Sequence, residues 1–530
     1  LHPPARFFQN DPVAPDWIGN SRRVTTPSKK IFRVEKPSDE PKPRAADPAS
    51  PDAAPLDRYV PLACWLLVIV TLLFIALKIV GTGYLPGGDA RRHVAQAFTD
   101  RPFTDIVVMR SSYQMDHNPG WDWLLRQLHE RAGFSKDQLM SFSLAGLMLC
   151  FFLAPLPWMR RPEAWLAALL AQLVAIPELM TRLTQARPLL LTEALCMVVL
   201  ISWCRPGPAN PSWRKVFFTT AAIALSTWMH GTWYMWVLPV AAFYLAGWWP
   251  AAFSLTCCWL GGALGGALLT GRPVVFLKQA ILLIHSIYHE HPPQWMLVGE
   301  LQPHYGEFAT LILLAIVFLC RRQQGRAQAT LLCPPLLWMI AICWILGFKA
   351  DRNWSDWGIP AVLVWLALQF EQLMTSGWAA NSPKCFVAAA MLALPLFLDA
   401  TNDLDRRYSR SADEVFLRAD DPSLAGWLPQ SNGIFYSSTM AFFYSTFYEN
   451  PDAGWRYIVG YEPALMPDDD LKIYRSIQAS GGAIPAYEPW ADKLRPGDRL
   501  VIYSVSRPDL PKLEWHNGPG AIWIGRLPVK

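Results

Sequence analysis

The sequence predicts a mainly α-helical, polytopic membrane bundle with a smaller extracytoplasmic α/β domain at its C-terminal end. Three observations carry this expectation. Apolar residues make up 52% of the 530 positions and charged residues only 17%. The apolar residues are clumped into runs of about 18 to 22, each long enough to cross a hydrocarbon core of about 30 Å as a helix. After Asp399 the long runs stop, and short mixed segments such as Gly433-Ile-Phe-Tyr-Ser and Asp498-Arg-Leu-Val-Ile-Tyr alternate with Pro, Gly and Asp turns.

Taken in order, residues 1–58 are rich in Pro, Ala and charge without apolar periodicity, which predicts a disordered tail. Its excess of Lys and Arg, including Arg22, Arg23, Lys29 and Lys30, favours the cytoplasm. The run from Tyr59 to about Val80 is too long for a signal-peptide core and predicts a retained anchor. Further spans are expected near 139–158, 164–181, 188–204, 214–229, 233–249, 252–270, 307–320, 329–347, 358–374 and 385–399, making about eleven in all over residues 59–399. Arg160-Arg161, Arg205 with Arg214-Lys215, Arg321-Arg322 and Lys384 fall in the short connections on one side, which is therefore the inner one. The outer side then holds the long loops 81–138 and 271–306 and the domain 400–530. In a bacterium this is an inner-membrane topology.

All ten cysteines lie in or beside apolar runs, so neither a disulfide framework nor a thiol metal site is available to the polar segments. The net charge of +5 points to no nucleic-acid partner, because the basic residues sit beside the spans as topology signals. The expected partners are membrane lipid and envelope-assembly proteins.

The chemistry concentrates in the first outer loop, Tyr84-Leu-Pro-Gly-Gly-Asp89-Ala-Arg-Arg-His93 followed by Met115-Asp116-His117-Asn-Pro-Gly. Asp89 and His93 are spaced i, i+4 and share a face if a helix starts after Gly88, where Asp89 serves equally as a cap or as a general base. Asp116 and His117 precede a turn, so Asp116 is as readily a turn residue as a catalytic one. Setting aside His2 and His516, the remaining histidines all fall on the predicted outer side, His230 among them. Arg187, Lys349 and Arg352 lie there too, against the charge bias, and an anionic ligand explains such cations as well as an internal pair with Asp351 or Asp356 does. His285, His289 and Glu300 form a loose metal-ligand combination that matches no strict signature.

Together these features resemble the membrane-embedded glycosyltransferases of the GT-C type, in architecture over 59–530 and, at residue level, in Gly87-Gly88-Asp89 with support from Arg187 and His230. The resemblance implies a polyprenyl-phosphate sugar as donor substrate and inversion at the anomeric carbon. Asp89 would be the base for the acceptor hydroxyl, with Asp116 and His117 beside it, and Arg187, Lys349 or Arg352 would hold the departing phosphate, with His93 and His230 as further substrate contacts. No resident cofactor is implied. A divalent metal is left open, because the first loop lacks the acidic pair that metal-dependent oligosaccharyltransferases use. The competing readings are a transporter or flippase of a lipid-linked or polysaccharide substrate and a noncatalytic assembly subunit.

Overall fold

A computed structural model describes residues 57–207, 210–289, 299–304, 307–323, 333–377 and 382–528. Nearly all of the N-terminal tail, and the 290–298 part of the second long loop with His291, lie outside the described residues.

The first apolar run forms α1 (Val60–Gly81), uncharged until Lys78 in its last turn. The loop after it folds into α2 (Asp89–Ala97), α3 (Phe103–Ile106) and α4 (Pro119–Ala132). A capping box between Ser135 and Gln138 starts α5 (Lys136–Leu153). The stretch 164–181, expected as one span, is broken: α6 (Pro162–Ala175) and α7 (Glu178–Thr184) meet at 110°. Pro177 is the cause, since it forces Ile176 out of helical geometry (ψ 87°) and ends α6 there. Next come α8 (Leu189–Cys204), α9 (Trp213–Met229), α10 (Val237–Leu245), α11 (Trp249–Leu268) and α12 (Pro273–His289). The bundle closes with α13 (Phe308–Gln323), α14 (Pro334–Gly347), α15 (Ile359–Gly377) and α16 (Pro383–Thr401). A helical turn at Asp351–Asn353 and a π-helical turn at Trp354–Gly358 lead into α15.

A helix occupies each stretch read as a span, but among the described residues only 5 helices are long and apolar enough to cross a bilayer by themselves, or 6 if the bent pair counts as one. The others are shorter apolar helices, such as Leu189–Cys204 and Pro334–Gly347. The bundle's surface fits the same environment. Leu62, Leu66 and Phe74 of α1, Phe217 and Phe218 of α9, Leu260 and Leu264 of α11, and Met391 and Leu394 of α16 are exposed, an apolar belt that water would not tolerate. The opposite faces pack inward, α1 against α16 and α15 against α6. The helices α9 and α11 pack closely, because Gly262 and Gly266 let the backbones approach: a Cβ on Gly262 would sit 2.7 Å from Ile223 Cβ.

Beyond α16 the chain forms β1 (Ile434–Ser437), α17 (Met440–Glu449), β2 (Arg456–Tyr457), α18 (Asp468–Ala479), α19 (Glu488–Lys493), β3 (Arg499–Tyr503), β4 (Glu514–Asn517) and β5 (Ile522–Arg526). The sheet order is β2-β1-β3-β5-β4, with β1 parallel to β2 and β3, and β5 antiparallel to β3 and β4. The first loop joins this sheet: Val107 bridges in parallel to Tyr457, and the N–H groups of Val108 and Arg110 donate to the carbonyls of Tyr457 (2.9 Å) and Leu465 (2.8 Å). Arg91 of α2 adds a bidentate pair with Glu414 (3.0 and 2.5 Å). The loop after α1 and the C-terminal domain therefore form one structural unit.

Candidate functional site

Where that unit meets the bundle, a cavity of about 850 Å³ opens. Its walls come from α2, residues 117–118, α7, Arg187, residues 230–235, α12, residues 299–301 and 346–355, and from Met440, Tyr444, Tyr461 and Glu462 of the C-terminal domain.

Asp89 reaches the cavity because Gly88 adopts φ 67° as the cap residue, a conformation that suits glycine, and α2 starts at Asp89 itself. Asp89 is thus a first-turn residue, favourably placed at the positive end of the helix dipole, rather than the cap. Its side chain keeps 23% exposure, directed into the cavity and hemmed by protein. Burial acts to raise its pKa, but the charges of Arg92 and Arg187 overcome this and hold the carboxyl well below the usual carboxylate range.

Arg92 is the hub of this wall. It is 1% exposed, with Nε 3.2 Å from Asp89 Oδ1, Nη1 on Asp116, and its guanidinium 4.5 Å from the Tyr461 ring centre. Asp116 serves both as turn residue, accepting the Asn118 N–H at 3.2 Å, and as partner of Arg92. It does not line the cavity, nor does His93. His93 shares a helix with Asp89 but is fully buried behind Arg92, its Nδ1 2.5 Å from Asp122 and its Nε2 3.2 Å from the Asn118 carboxamide. The structure therefore places His93 out of reach of a ligand in the cavity.

His117 does face the cavity. Its Nε2 is buried with no hydrogen-bond partner among the described residues, and burial outweighs the neighbouring Asp116 to push the imidazole down to about 4. His230 terminates α9 and lines the same space, its Nδ1 2.9 Å from Thr232 Oγ1. The other histidines play different parts. His129 contacts the Phe134 carbonyl (3.0 Å), His304 sits 3.3 Å from Asp351, and His285 is exposed on α12.

The expected cations Arg187, Lys349 and Arg352 line the cavity, joined by Arg182 of α7. Arg187 is ion-paired with Glu300, Arg352 Nε lies 3.3 Å from Asp356, and Arg182 bridges Asp356 (2.8 Å) and Asp351. The bend between α6 and α7 brings Arg182 here, and the π-helical turn holds Asp356, 2% exposed, between the two guanidinium groups. A second charged layer, Glu371 with Arg205 and the Arg161 N–H (3.1 Å), lies towards the other end of α15, about 18 Å from its start at Ile359 at 1.5 Å per residue.

Apolar walls complete the space, with Leu283 and Ile284 of α12 together with Leu301, Leu346 and Ile359. Gln279 pins α12 to the first loop, its Oε1 accepting the Gln114 N–H at 2.9 Å. Among the described residues no three His, Cys, Asp or Glu side chains converge as a metal ligand set. Glu300, part of the loose metal combination, is engaged by Arg187, and the His289 side chain lies outside the described residues.

Among the wall residues with no counterpart in the sequence analysis are Tyr444, Tyr461 and Glu462 of the C-terminal domain. Tyr444 Oη stands 3.5 Å from Asp89 Oδ1 and 3.5 Å from the Tyr461 carbonyl. Burial raises the Glu462 pKa to about 7, against the lowering by the Ala464 N–H and Arg352 and with help from Asp89. No family model matches this chain, and no curated protein sequence does.

Proposed function

We propose that this chain is an integral-membrane glycosyltransferase that moves a sugar from a polyprenyl-phosphate donor to an acceptor at the extracytoplasmic face, on a GT-C-like bundle of about eleven spans with an inside N-terminus. The observation that carries the proposal is the composition of one cavity: a carboxylate that stays ionised, several guanidinium groups and an ammonium, and a continuous apolar wall, all at one end of an apolar-belted bundle. An amphiphile with a phosphate head matches that combination, its polyprenyl chain lying along α12 and its phosphate among Arg187, Lys349 and Arg352.

In this reading Asp89 accepts the hydrogen bond of the acceptor hydroxyl and aims its oxygen at the anomeric carbon. As the new C–O bond forms, the hydroxyl gives its proton to a carboxylate of the cavity wall, the bond to the donor phosphate breaks, and that bond's electron pair leaves with the phosphate oxygen. The cations stabilise the charge that gathers there, which is the larger need in the transition state. The neutral His117 and His230 offer hydrogen bonds to sugar hydroxyls without competing for the phosphate. No step is assigned to a metal.

The test is Asp89→Asn in protein reconstituted into vesicles, with a panel of polyprenyl-phosphate hexoses as donors. Released polyprenyl phosphate is the readout. Turnover is expected to fall by about 10²- to 10⁴-fold while donor binding persists. Wild-type protein that turns over no donor, or carries lipid-linked sugar across a sealed vesicle without cleaving it, would replace this reading with a transporter.

A further inference from the structure

Asp89 is well suited to orient an acceptor hydroxyl and poorly suited to keep its proton. It is 3.2 Å from Arg92 Nε, within range of the Arg187 charge, and held far below the neutral range. A proton delivered there has to leave. Glu178, Glu300, Glu307 and Asp351 line the cavity from the bundle side, and one further carboxylate, Glu462, comes from the C-terminal domain.

We propose that Glu462 is a further catalytic residue, the carboxylate on which the acceptor's proton comes to rest as the glycosidic bond forms. The proposal rests on the transferase reading above and deepens it. Glu462 lines the same cavity as Asp89 and Arg352 and interacts electrostatically with both. Tyr444 ties the two sides together, standing between Asp89 and the carbonyl of the residue just before Glu462. Glu462 precedes Pro463, and its carboxylate accepts a 3.4 Å hydrogen bond from the Ala464 N–H, which fixes the side chain at the start of the Pro463–Leu465 turn.

The step balances. The acceptor oxygen bonds to the anomeric carbon, the sugar–phosphate bond breaks with its electron pair going to phosphate, and the hydroxyl proton passes to a Glu462 oxygen. A group that titrates near neutrality both accepts that proton and releases it to solvent between turnovers, which Asp89 does not. The groups that face Glu462 are Asp89 from α2, Arg352 from the bundle, and Tyr444, Tyr461 and Tyr474 from its own domain. The helix α12, packed against the Pro463–Leu465 turn, carries Lys278 and His285 on its exposed surface.

The bland role for Glu462 is to cap the turn, and Glu462→Gln separates the two because a carboxamide oxygen still accepts the Ala464 N–H. Release of polyprenyl phosphate from a polyprenyl-phosphate hexose, with water as acceptor, is followed from about pH 5 to 9 for wild type, Glu462→Gln and Glu462→Asp. The wild-type rate is expected to fall on the acid side with a midpoint near 7. Glu462→Gln should lose about 100-fold or more, along with that acid limb, at an unchanged unfolding temperature. Glu462→Asp should restore part of the rate. A substrate-free readout runs beside it: a neutral-carboxyl infrared band that appears below about pH 7 in wild type and is missing in Glu462→Gln. Wild-type turnover and an unchanged acid limb in Glu462→Gln would overturn the proposal. If Asp89→Asn is inactive while Glu462→Gln is not, only this inference fails; if wild type releases no polyprenyl phosphate from any donor, the transferase reading fails and takes this one with it.

Discussion

Replacing Arg92 by methionine tests the physical core of the site without any substrate. Methionine keeps much of the volume and removes the charge. Arg92 is 1% exposed, Asp116 10% and Asp89 23%, so the substitution leaves two largely buried carboxylates facing each other without their shared cation. Breaking a buried pair by removing one partner costs about 3–5 kcal/mol, which is two to three and a half orders of magnitude in the unfolding equilibrium. The cation contact to Tyr461 is lost as well. The pH dependence supplies the sign. In the wild type Asp89 titrates below its unfolded value of 3.8, so its contribution is fully present above about pH 4 and is lost as pH falls through the lowered folded value. Without Arg92, burial, already the largest influence on Asp89, and the facing Asp116 carboxylate are opposed only by the Arg187 and His93 charges, so the Asp89 pKa is expected to rise past the unfolded one and protonation then favours the folded state. The stability deficit of Arg92→Met should therefore be largest near pH 7 and shrink towards pH 4. Denaturation of the detergent-solubilised protein at both pH values measures it. A variant as stable as wild type at pH 7, or a deficit that does not change with pH, would refute the reasoning.

Two further pairs of substitutions test particular contacts. Gly266→Val should cost about 2 kcal/mol or more by separating α9 from α11, because a Cβ there sits 2.6 Å from Thr227 Cβ and collides with the Ala224 carbonyl. Gly265→Ala, whose Cβ would meet only Ala224 Cβ at 3.5 Å, should be neutral or slightly stabilising in the same denaturation experiment. Glu300→Gln should tighten binding of polyprenyl monophosphate by about tenfold, since a phosphate no longer has to displace the carboxylate held by Arg187, whereas Arg187→Gln should weaken it by a similar factor. Equal affinities for the two variants in a lipid-binding titration would show that the phosphate does not sit at Arg187.

How much of this was readable in the chain depends on how local the cause was. The helical stretches follow from runs of apolar residues, and the strands of the small sheet all fall in the stretch after Asp399, where those runs stop. Asp89 stood out because Gly87-Gly88 precedes it and an apolar run ends just before. Lys349 and Arg352 stood out because charge between two apolar runs is costly. The break at Ile176-Pro177 was signalled by the proline, yet the length of the apolar stretch concealed it; nothing local sets the 110° bend that swings Arg182 onto Asp351 and Asp356. His93 illustrates the opposite error. The i, i+4 rule places it on one side of α2 with Asp89, but α2 is buried nearly all round, and Asp122, from another helix, claims the imidazole. Tyr444, Tyr461 and Glu462 were invisible for a simpler reason. They reach the cavity only through the packing of a domain that begins some three hundred residues after Asp89.

That long-range packing also explains why a carboxylate from the first loop and one from the C-terminal domain can hold a fixed relation. Residues 107–110 hydrogen-bond to Tyr457 and Leu465, which bracket Glu462 in the chain, while Arg91, two residues beyond Asp89, is locked bidentately to Glu414. Asp89 and Glu462 are thus borne by one hydrogen-bonded framework rather than by two independent loops, which is what a site needs to hold reacting groups to a fraction of an ångström. The cations come instead from the bundle, on α7, ahead of α8 and ahead of the π-helical turn, and several are matched by carboxylates from neighbouring segments. An incoming anion therefore exchanges one partner for another instead of filling an unbalanced positive hole, so its affinity is set by how readily Glu300 and Asp351 yield. Movement of the framework against the bundle would change the carboxylate-to-cation spacing while leaving the spacing between Asp89 and Glu462 intact, and under the proposed transferase reading this would separate the part of the cavity that handles the proton from the part that handles the phosphate.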